Sequence, residues 1–216
     1  MNPFGVPITD RTLRQMKRYR GKEEITQEDR AREAMRLIHA EDKNISALQH
    51  VLSLKANYGN GVSTLCLVYN ATGDTLQFAY NKEWYGYVYK EQPPTTFENG
   101  QWIAFLHAHP TAQSLGSEAA WVYRGKNIKG EVRDYMIAWN TPWSKTQNSA
   151  YTEVRGENHF PQYWSHIKDS LLEKAGKITV DEFDKLCTSY ASIGGITSPE
   201  FIAILKHNFT PEPIIP

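Results

Sequence analysis

The sequence is short of cysteine, of net charge and of long apolar segments. Only Cys66 and Cys187 occur among 216 residues, which is too few for a disulfide framework and predicts two buried free thiols in a reducing compartment. Basic and acidic residues number 24 each, so the overall charge does not favour nucleic acid as a partner. No segment has the apolar length of a transmembrane helix, and residues 1–10 lack a signal-peptide pattern. We therefore expect a cytoplasmic protein.

The motifs of the common enzyme classes are also missing. The chain has no Gly-x-Ser-x-Gly elbow, P-loop, dinucleotide fingerprint, zincin helix or Cys-x-x-Cys. Residues 176–183 recur in similar form at 194–201, with glycine, isoleucine and glutamate spaced as in a calcium loop. Leu171 and Ser189 would then occupy the first ligand position, where calcium needs a carboxylate. The sequence predicts neither a metal nor a cofactor.

One short segment is strongly basic. Residues 11–22 contain six basic side chains and no acidic one. A solvated helix face is the favoured interpretation, and a binding patch is the alternative. The six residues are Arg11, Arg14, Lys17, Arg18, Arg20 and Lys22.

The N-terminal part of the chain, residues 1–60, has a helical pattern. Thr26 is followed three residues later by Asp29, which predicts a capping box that opens one long helix over residues 27–58. Its apolar side chains recur at helical spacing, so one stripe must pack on the rest of the protein or on a second copy in a homodimer. The stripe consists of Ala31, Met35, Ile38, Ile45, Leu48 and Leu52.

Residues 61–157 have the period of strands. Leu65, Leu67 and Tyr69 alternate with other side chains, and similar short runs follow at regular intervals, ended by prolines and turns. This pattern predicts an antiparallel β-sandwich. Residues 158–216 return to a helical pattern, since Thr179 and Thr197 each precede a glutamate by three residues and predict two helix starts.

The predicted fold class is therefore α+β. A sandwich over residues 61–157 is flanked by the N-terminal helical segment, residues 1–60, and by short C-terminal helices within residues 158–216. We expect the three parts to form one compact unit.

His107 and His109 are the sharpest catalytic candidates. They lie in the sequence His-Ala-His of a predicted strand, where a period of two places both imidazoles on one face. A metal site would need further ligands at fixed spacing, which the sequence does not supply. Hydrogen bonding to backbone or water at a strand end is the favoured interpretation, and acid–base catalysis in an aromatic pocket is the alternative.

The aromatic residues offer the better binding site. Tyr85, Tyr87 and Tyr89 would share one face of a strand, Trp84 would lead in from a turn, and Trp143 would lie on a loop. Tyrosine and tryptophan combine an apolar body with a polar tip, which suits lipid headgroups, sugar faces or a choline-like cation. Core packing is the alternative for Tyr87 and Tyr89. The predicted ligand-binding residues are Trp84, Tyr85, Tyr87 and Trp143.

With these segments identified, the chain resembles the plant jasmonate-induced protein family. The resemblance runs from the N-terminus to about residue 155 and implies a plant protein of stress or defence. The segments that carry it are Ile25-Thr26-Gln27, Asp29-Arg30, Thr64-Leu65-Cys66-Leu67, Tyr69-Asn70-Ala71-Thr72-Gly73, Trp84-Tyr85-Gly86, Asn99-Gly100-Gln101-Trp102, Val122-Tyr123-Arg124-Gly125-Lys126-Asn127, Ala138-Trp139 and Thr141-Pro142-Trp143.

More distantly, the β-region resembles the actinoporin-like sandwiches of the nakanori and aegerolysin type. That resemblance implies recognition of membrane lipid headgroups through aromatic loops. The predicted N-terminal helix is highly charged, which favours recognition without pore formation. We therefore expect a non-enzymatic stress or defence protein that binds a lipid headgroup or a glycan. The alternative is an enzyme of plant specialised metabolism that uses His107 or His109.

Overall fold

The computed structural model describes residues 2–110, 113–144 and 147–209. Within these ranges the chain forms two stacked β-sheets with helices on their outer faces. The helices are α1 (Asp10–Gln15), α2 (Gln27–Arg36), α3 (Lys43–Tyr58) and α4 (Trp164–His166). The strands are β1 (Ser63–Ala71), β2 (Leu76–Tyr85), β3 (Tyr87–Val88), β4 (Thr96–Phe97), β5 (Trp102–Ala108), β6 (Ser117–Lys126), β7 (Val132–Thr141), β8 (Ser149–Gly156), β9 (Ile178–Phe183), β10 (Cys187–Ile193) and β11 (Glu200–His207).

The first sheet has the strand order β3-β5-β1-β11-β10-β9, and the second has the order β4-β2-β6-β7-β8. All pairings among the described strands are antiparallel except that of β1 with β11. The predicted α+β sandwich is thus confirmed. No described helix has the length and apolarity to span a membrane.

Three apolar clusters hold the layers together. The largest lies between the sheets and contains Phe105, Trp121 and Trp139. A second lies between the first sheet and the N-terminal helices, which explains why all nine residues of β1 are buried on both faces. The third lies on the outer face of the second sheet, under residues 160–172, which we call the cover segment. The cover segment consists of a 3-10 turn, α4 and a π-helical turn.

The N-terminal helical region is two helices rather than one. The predicted capping box is present, since the Thr26 amide donates to Asp29 Oδ2 at 2.8 Å and the Asp29 amide donates to Thr26 Oγ1 at 3.2 Å. Helix α2 ends at Arg36, and α3 begins only after Glu41 and Asp42, which take left-handed backbone angles. A continuous helix over residues 27–58 would be about 48 Å long, against about 33 Å for a ten-residue strand, so the break lets both helices lie on one sheet.

Helix α3 packs on the sandwich mainly through residues other than those of the predicted stripe. Ala47, Val51 and Leu54 are buried against the first sheet. Ile45 and Leu52, which belong to the predicted stripe, are exposed instead. Dimerisation through this region stays a prediction.

The two helices predicted to begin at Thr179 and Thr197 do not form, and this prediction was wrong. Thr179 lies inside β9 and its hydroxyl donates to the Ala150 carbonyl at 3.0 Å. Strand β11 inserts between β1 and β10, so the sandwich extends well beyond residue 157. The physical reason is the gap between β1 and β10, which the apolar run from Phe201 to Leu205 fills as a strand covered on both faces.

Candidate ligand-binding cleft

A cleft of about 570 Å³ opens at one end of the second sheet. Antiparallel pairing brings the end of β2, the start of β6 and the end of β7 to this end, where Tyr85 lies opposite Glu118 and Glu118 opposite Asn140. The loop after β7 adds Trp143, and Glu173 closes the cleft beyond the cover segment. Residues distant along the chain therefore line one concave surface.

Two aromatic rings form the walls of the cleft. Tyr85 is 37% exposed and Trp143 is 43% exposed, so both present ring surface to solvent. The loop before β6 approaches β7 closely at Gly116, where an added Cβ would lie 2.3 Å from the Thr141 carbonyl oxygen. Glycine is required there, and it keeps the loop against the wall that carries Trp143.

Glu118 lies at the base of the cleft and is buried, with 3% exposure. Its Oε1 atom has no hydrogen-bond partner among the residues described. Burial raises the pKa of this carboxyl from 4.5 to about 7, with Lys168 lowering the pKa and Glu173 and Asp169 raising it. The carboxyl therefore changes charge near neutral pH.

Lys168 places a positive charge beside the same cleft. Its Nζ lies 5.1 Å from the centre of the Tyr85 ring and 3.6 Å from Glu173 Oε1. Burial acts to lower the pKa of this ammonium, but the nearby Glu118, Tyr85 and Glu173 outweigh it and the pKa is raised. The ammonium stays protonated while it contacts an aromatic face.

Further rings extend the aromatic surface from Trp143 towards the first sheet. The His109 ring lies 4.9 Å from the Trp143 ring and 5.9 Å from the Tyr58 ring, and Tyr58 contacts Tyr89 at 5.1 Å. Tyr87 is exposed on β3, which pairs with β5 beside His109. We call Tyr58, Tyr87, Tyr89 and His109 the aromatic rim.

The four aromatic residues predicted to bind ligand lie in three different places. Tyr85 and Trp143 line the cleft and Tyr87 lies on the aromatic rim. Trp84 is half-buried and packs edge-on against Trp164 at 6.2 Å, in the cluster under the cover segment.

The predicted single strand of tyrosines is broken at Gly86. This glycine has a φ of 107° and separates β2 from β3, so Tyr85 and Tyr87 belong to different sheets. Tyr85, Tyr87 and Tyr89 therefore do not share one strand face, because the chain crosses from one layer of the sandwich to the other between the first two of them.

The two catalytic candidates lie in different surroundings. His107 is completely buried between the sheets, where its Nδ1 is 2.8 Å from Ser117 Oγ and its ring contacts Trp139. Burial lowers the pKa of His107 to about 3, so the imidazole is neutral and a weak base at neutral pH. His109 packs among the rings of the aromatic rim. Neither histidine is among the described side chains that line the cleft.

Sequence reasoning missed the charged residues of the cleft. Glu118 is the second residue of β6, and Lys168 and Glu173 lie in or next to a helical segment, so the local sequence around each is typical of a surface charge. The only signal was the isolated acidic residue in the segment Ser117-Glu118-Ala119-Ala120-Trp121. Within the described ranges no group of three or more His, Cys, Asp or Glu side chains is arranged to hold a metal ion.

Comparison with known proteins identifies a family for the chain as a whole. The family model for Nakanori-like protein matches residues 4–208. A 23 kDa jasmonate-induced protein of Hordeum vulgare is 40% identical over 181 residues, which cover 82% of this chain and 85% of that protein. A jasmonate-induced protein homolog of Atriplex canescens is 25% identical over 171 residues, which cover 77% and 90% of the two chains.

Among solved structures, the lipid binding protein Nakanori matches with a TM-score of 0.84 and 27% identity, covering 94% of this chain and 99% of its own. The range matched by the family model, residues 4–208, includes strands β9–β11, which the sequence patterns had not predicted. The resemblance to the jasmonate-induced proteins is confirmed. This chain belongs to the Nakanori-like protein family.

Proposed function

We propose that this protein binds a membrane lipid headgroup in the cleft between Tyr85 and Trp143, without chemical conversion of the lipid. The observation that carries the proposal is the pair of exposed rings flanking an open cleft whose base is polar. Rings at the mouth of such a cleft can enter the interfacial region of a bilayer while the base receives the headgroup. The solved relative Nakanori is described as a lipid binding protein, which supports this choice of ligand class.

The aromatic rim enlarges the surface that would meet the membrane. Tyr87 is 37% exposed and lies at the same end of the sandwich as the cleft. Its ring adds contact area at the membrane interface, so the proposed binding does not require a long apolar helix. Recognition at the surface, with the sandwich intact, is the mode that this arrangement supports.

The names of the sequence relatives bear on biological context. Both are described as jasmonate-induced proteins or homologues. We infer a role in a stress or defence response for this chain. The two cysteines are free and buried, which is compatible with a cytoplasmic location.

Co-sedimentation with liposomes tests the proposed function. Vesicles of phosphatidylcholine, of anionic lipid and of sphingomyelin are incubated with the wild-type protein and with Trp143→Ala and Tyr85→Ala. Tyr163→Ala is the matched control, because Tyr163 is 42% exposed, lies in the cover segment and is not among the cleft residues.

We expect the wild type and Tyr163→Ala to sediment with at least one composition, and both cleft variants to bind more weakly by about tenfold or more. Equal binding by all four folded proteins would show that the cleft is the wrong site. Failure of the wild type to bind any vesicle, together with binding to a glycan array that Trp143→Ala abolishes, would replace the lipid with a sugar.

A further inference from the structure

We infer that Glu118 makes the cleft selective for a headgroup that carries a protonated amine with N–H groups, over one that carries a trimethylammonium group. This inference rests on the proposed function, because it names the class of headgroup that the same cleft accepts. Glu118 is a specificity-determining residue in this account, and the ligand is a lipid-borne primary amine.

The carboxyl of Glu118 differs from the other buried carboxyls in the described part of the chain. Asp134 accepts from Arg124, Tyr80 and the Asn158 amide, and Asp29 accepts from Lys22 and Thr26. Glu33 and Glu153 each form an ion pair with an arginine. Glu118 forms no ion pair or side-chain hydrogen bond in the same set of residues, although it is as deeply buried.

A buried carboxylate without a hydrogen-bond donor destabilises the folded protein. A donor from a ligand in the open cleft would remove this cost. The cleft gives a ligand access to this carboxyl, since Glu118 contributes to its lining. A protonated amine would supply both the missing N–H donor and the missing charge. The strength of the bond would be that of a charge-assisted hydrogen bond between an ammonium and a carboxylate.

The field around Glu118 favours a cation. Glu173 and Asp169 are the other acidic groups that act on it, and Lys168 is the basic one, so ionised Glu118 leaves this end of the cleft with an excess of negative charge. Tyr85, from the neighbouring strand, is the remaining titratable side chain that lines the same wall. One lysine therefore offsets only part of the acidic charge.

Lys168 places an ammonium beside the cleft without being among the described side chains that line it. Its Nζ already lies over the Tyr85 ring and close to Glu173, but it forms no ion pair with Glu118. The protein thus holds one ammonium at one wall and leaves the carboxyl at the base without a partner. A second ammonium, from the ligand, would pair with the negative charge of Glu118 that Lys168 leaves unpaired.

The selectivity follows from hydrogen-bonding capacity. A primary ammonium has three N–H donors, whereas a trimethylammonium group has none and relies on aromatic faces for its binding. Of the two rings at the cleft, Tyr85 already contacts Lys168, which leaves Trp143. The unpartnered carboxyl of Glu118 therefore stabilises a bound headgroup that has N–H donors more than one that has only methyl groups on its nitrogen.

A direction of pH dependence follows. The cationic headgroup binds the ionised carboxylate, and burial raises the pKa of Glu118 to about 7. The ionised fraction rises from about one tenth at pH 6 to about nine tenths at pH 8, so affinity for the amine should increase roughly ninefold over this interval. A phosphodiester and a primary amine keep their own charges across it.

The test compares vesicles of phosphatidylcholine with vesicles that contain equal amounts of phosphatidylcholine and phosphatidylethanolamine, at pH 6 and pH 8. The proteins are the wild type, Glu118→Gln, and Trp143→Ala. Glycerophosphoethanolamine is added in a separate arm as a soluble competitor, which distinguishes recognition of the amine headgroup itself from an effect of bilayer packing. Glutamine keeps the size of the side chain and removes its charge, and circular dichroism checks that the variant is folded.

We expect the wild type to bind the ethanolamine vesicles about tenfold more tightly than phosphatidylcholine at pH 8, and to lose most of this preference at pH 6. Glu118→Gln should bind both vesicles with similar affinity at both pH values, and the soluble competitor should displace the wild type only. Equal binding of both vesicles by the wild type, or binding that weakens as the pH rises, would overturn the amine inference and leave lipid binding in the cleft intact. Absence of binding to every vesicle would instead refute the proposed function.

The pH profile of the wild type needs no substitution, so it decides the matter even if Glu118→Gln folds poorly. An affinity that falls with rising pH would mean that protonated Glu118 donates to an oxygen of the ligand, such as a phosphate or a sugar hydroxyl. That result would exclude the amine as the group that Glu118 binds.

Discussion

The burial of Glu118 without a partner predicts that its removal stabilises the protein. Burial raises the pKa of this carboxyl in the folded state from 4.5 to about 7. A group whose folded pKa is raised contributes stability that is fully present below the unfolded pKa and is lost as the pH rises through the folded pKa. Glu118 should therefore contribute a loss of stability between about pH 4.5 and 7 in the wild type, and Glu118→Gln should lack this contribution.

The magnitude can be worked from the same shift. A rise from 4.5 to about 7 corresponds to about 3 kcal/mol at pH 8, as an upper limit. The cleft is open to water, which screens part of the cost, so we expect Glu118→Gln to stabilise by about 1–2 kcal/mol at pH 8. At pH 5 most carboxyls at this position are protonated in the folded protein, and the expected gain is smaller, below about 1 kcal/mol.

Urea unfolding of both proteins at pH 5 and pH 8, followed by circular dichroism, measures the two differences in free energy of unfolding. The gain at pH 8 should exceed the gain at pH 5. A variant less stable than the wild type at pH 8 would show that the carboxylate has a favourable partner, and the reasoning about the cleft would fail with it. A stability gain accompanied by loss of binding would be the pattern of a side chain kept for function.

Three further substitutions test the surrounding structure, each by urea unfolding against the wild type. Arg124→Met leaves the buried carboxylate of Asp134 without its cation, and we expect a loss of about 3 kcal/mol or more; a loss below about 1 kcal/mol would contradict the assigned pairing. Gly86→Ala places a Cβ 2.5 Å from His107 Cε1 at a φ of 107°, so we expect a loss of about 2 kcal/mol, and an unchanged midpoint would refute the strain. Thr26→Ala removes the side-chain acceptor of the α2 capping box and should cost about 1 kcal/mol, whereas Thr26→Ser should restore stability.

Most of the strands from β1 to β8 could be predicted because their period is explicit, but the two-residue strand β4 and the break between β2 and β3 at Gly86 could not. Leu65, Leu67 and Tyr69 alternate along β1, and comparable runs mark β5, β6 and β7. Each run is bounded by turn residues, which fixes the ends as well as the period. The short connections predict the antiparallel order β6-β7-β8, but not the separation of β1 and β2, which lie in different sheets although only residues 72–75 join them.

The C-terminal strands could not be predicted in the same way. The spacing of Thr179 and Thr197 from the following glutamates satisfies a helix-start pattern, which competes with the strand signal. The run from Phe201 to Leu205 is too short to separate a buried strand from a buried helix by periodicity. This segment becomes a strand because it pairs with β1 on one side and with β10 on the other, and these neighbours exist only in the assembled sheet.

The break between α2 and α3 has a similar origin. No glycine or proline marks Glu41 and Asp42, yet both take left-handed backbone angles. The cost of these conformations is offset by packing two shorter helices on one sheet, which buries Ala34, Ala47 and Val51. Local propensity contains no information about that gain.

Only the part of the candidate site that depends on local sequence could be predicted. Tyr85 and Trp143 could be proposed from residue type and their place next to turns, since exposed rings at strand ends are a local feature. Glu118 could not, because its burial depends on the cover segment and on its register opposite Tyr85 and Asn140. The chemistry of the cleft is therefore set by contacts between segments that are distant in sequence.

The most direct test of lipid binding in the cleft is a residue-resolved one. The chain has six tryptophans, and each gives one indole N–H signal in a proton–nitrogen correlation spectrum. Phosphatidylethanolamine-containing bicelles are added to the labelled protein, and the signal of Trp143 is assigned with Trp143→Phe. We expect the Trp143 signal to shift or broaden and those of the buried Trp102 and Trp121 to stay unchanged. Binding of the bicelles with an unchanged Trp143 signal would contradict the central claim.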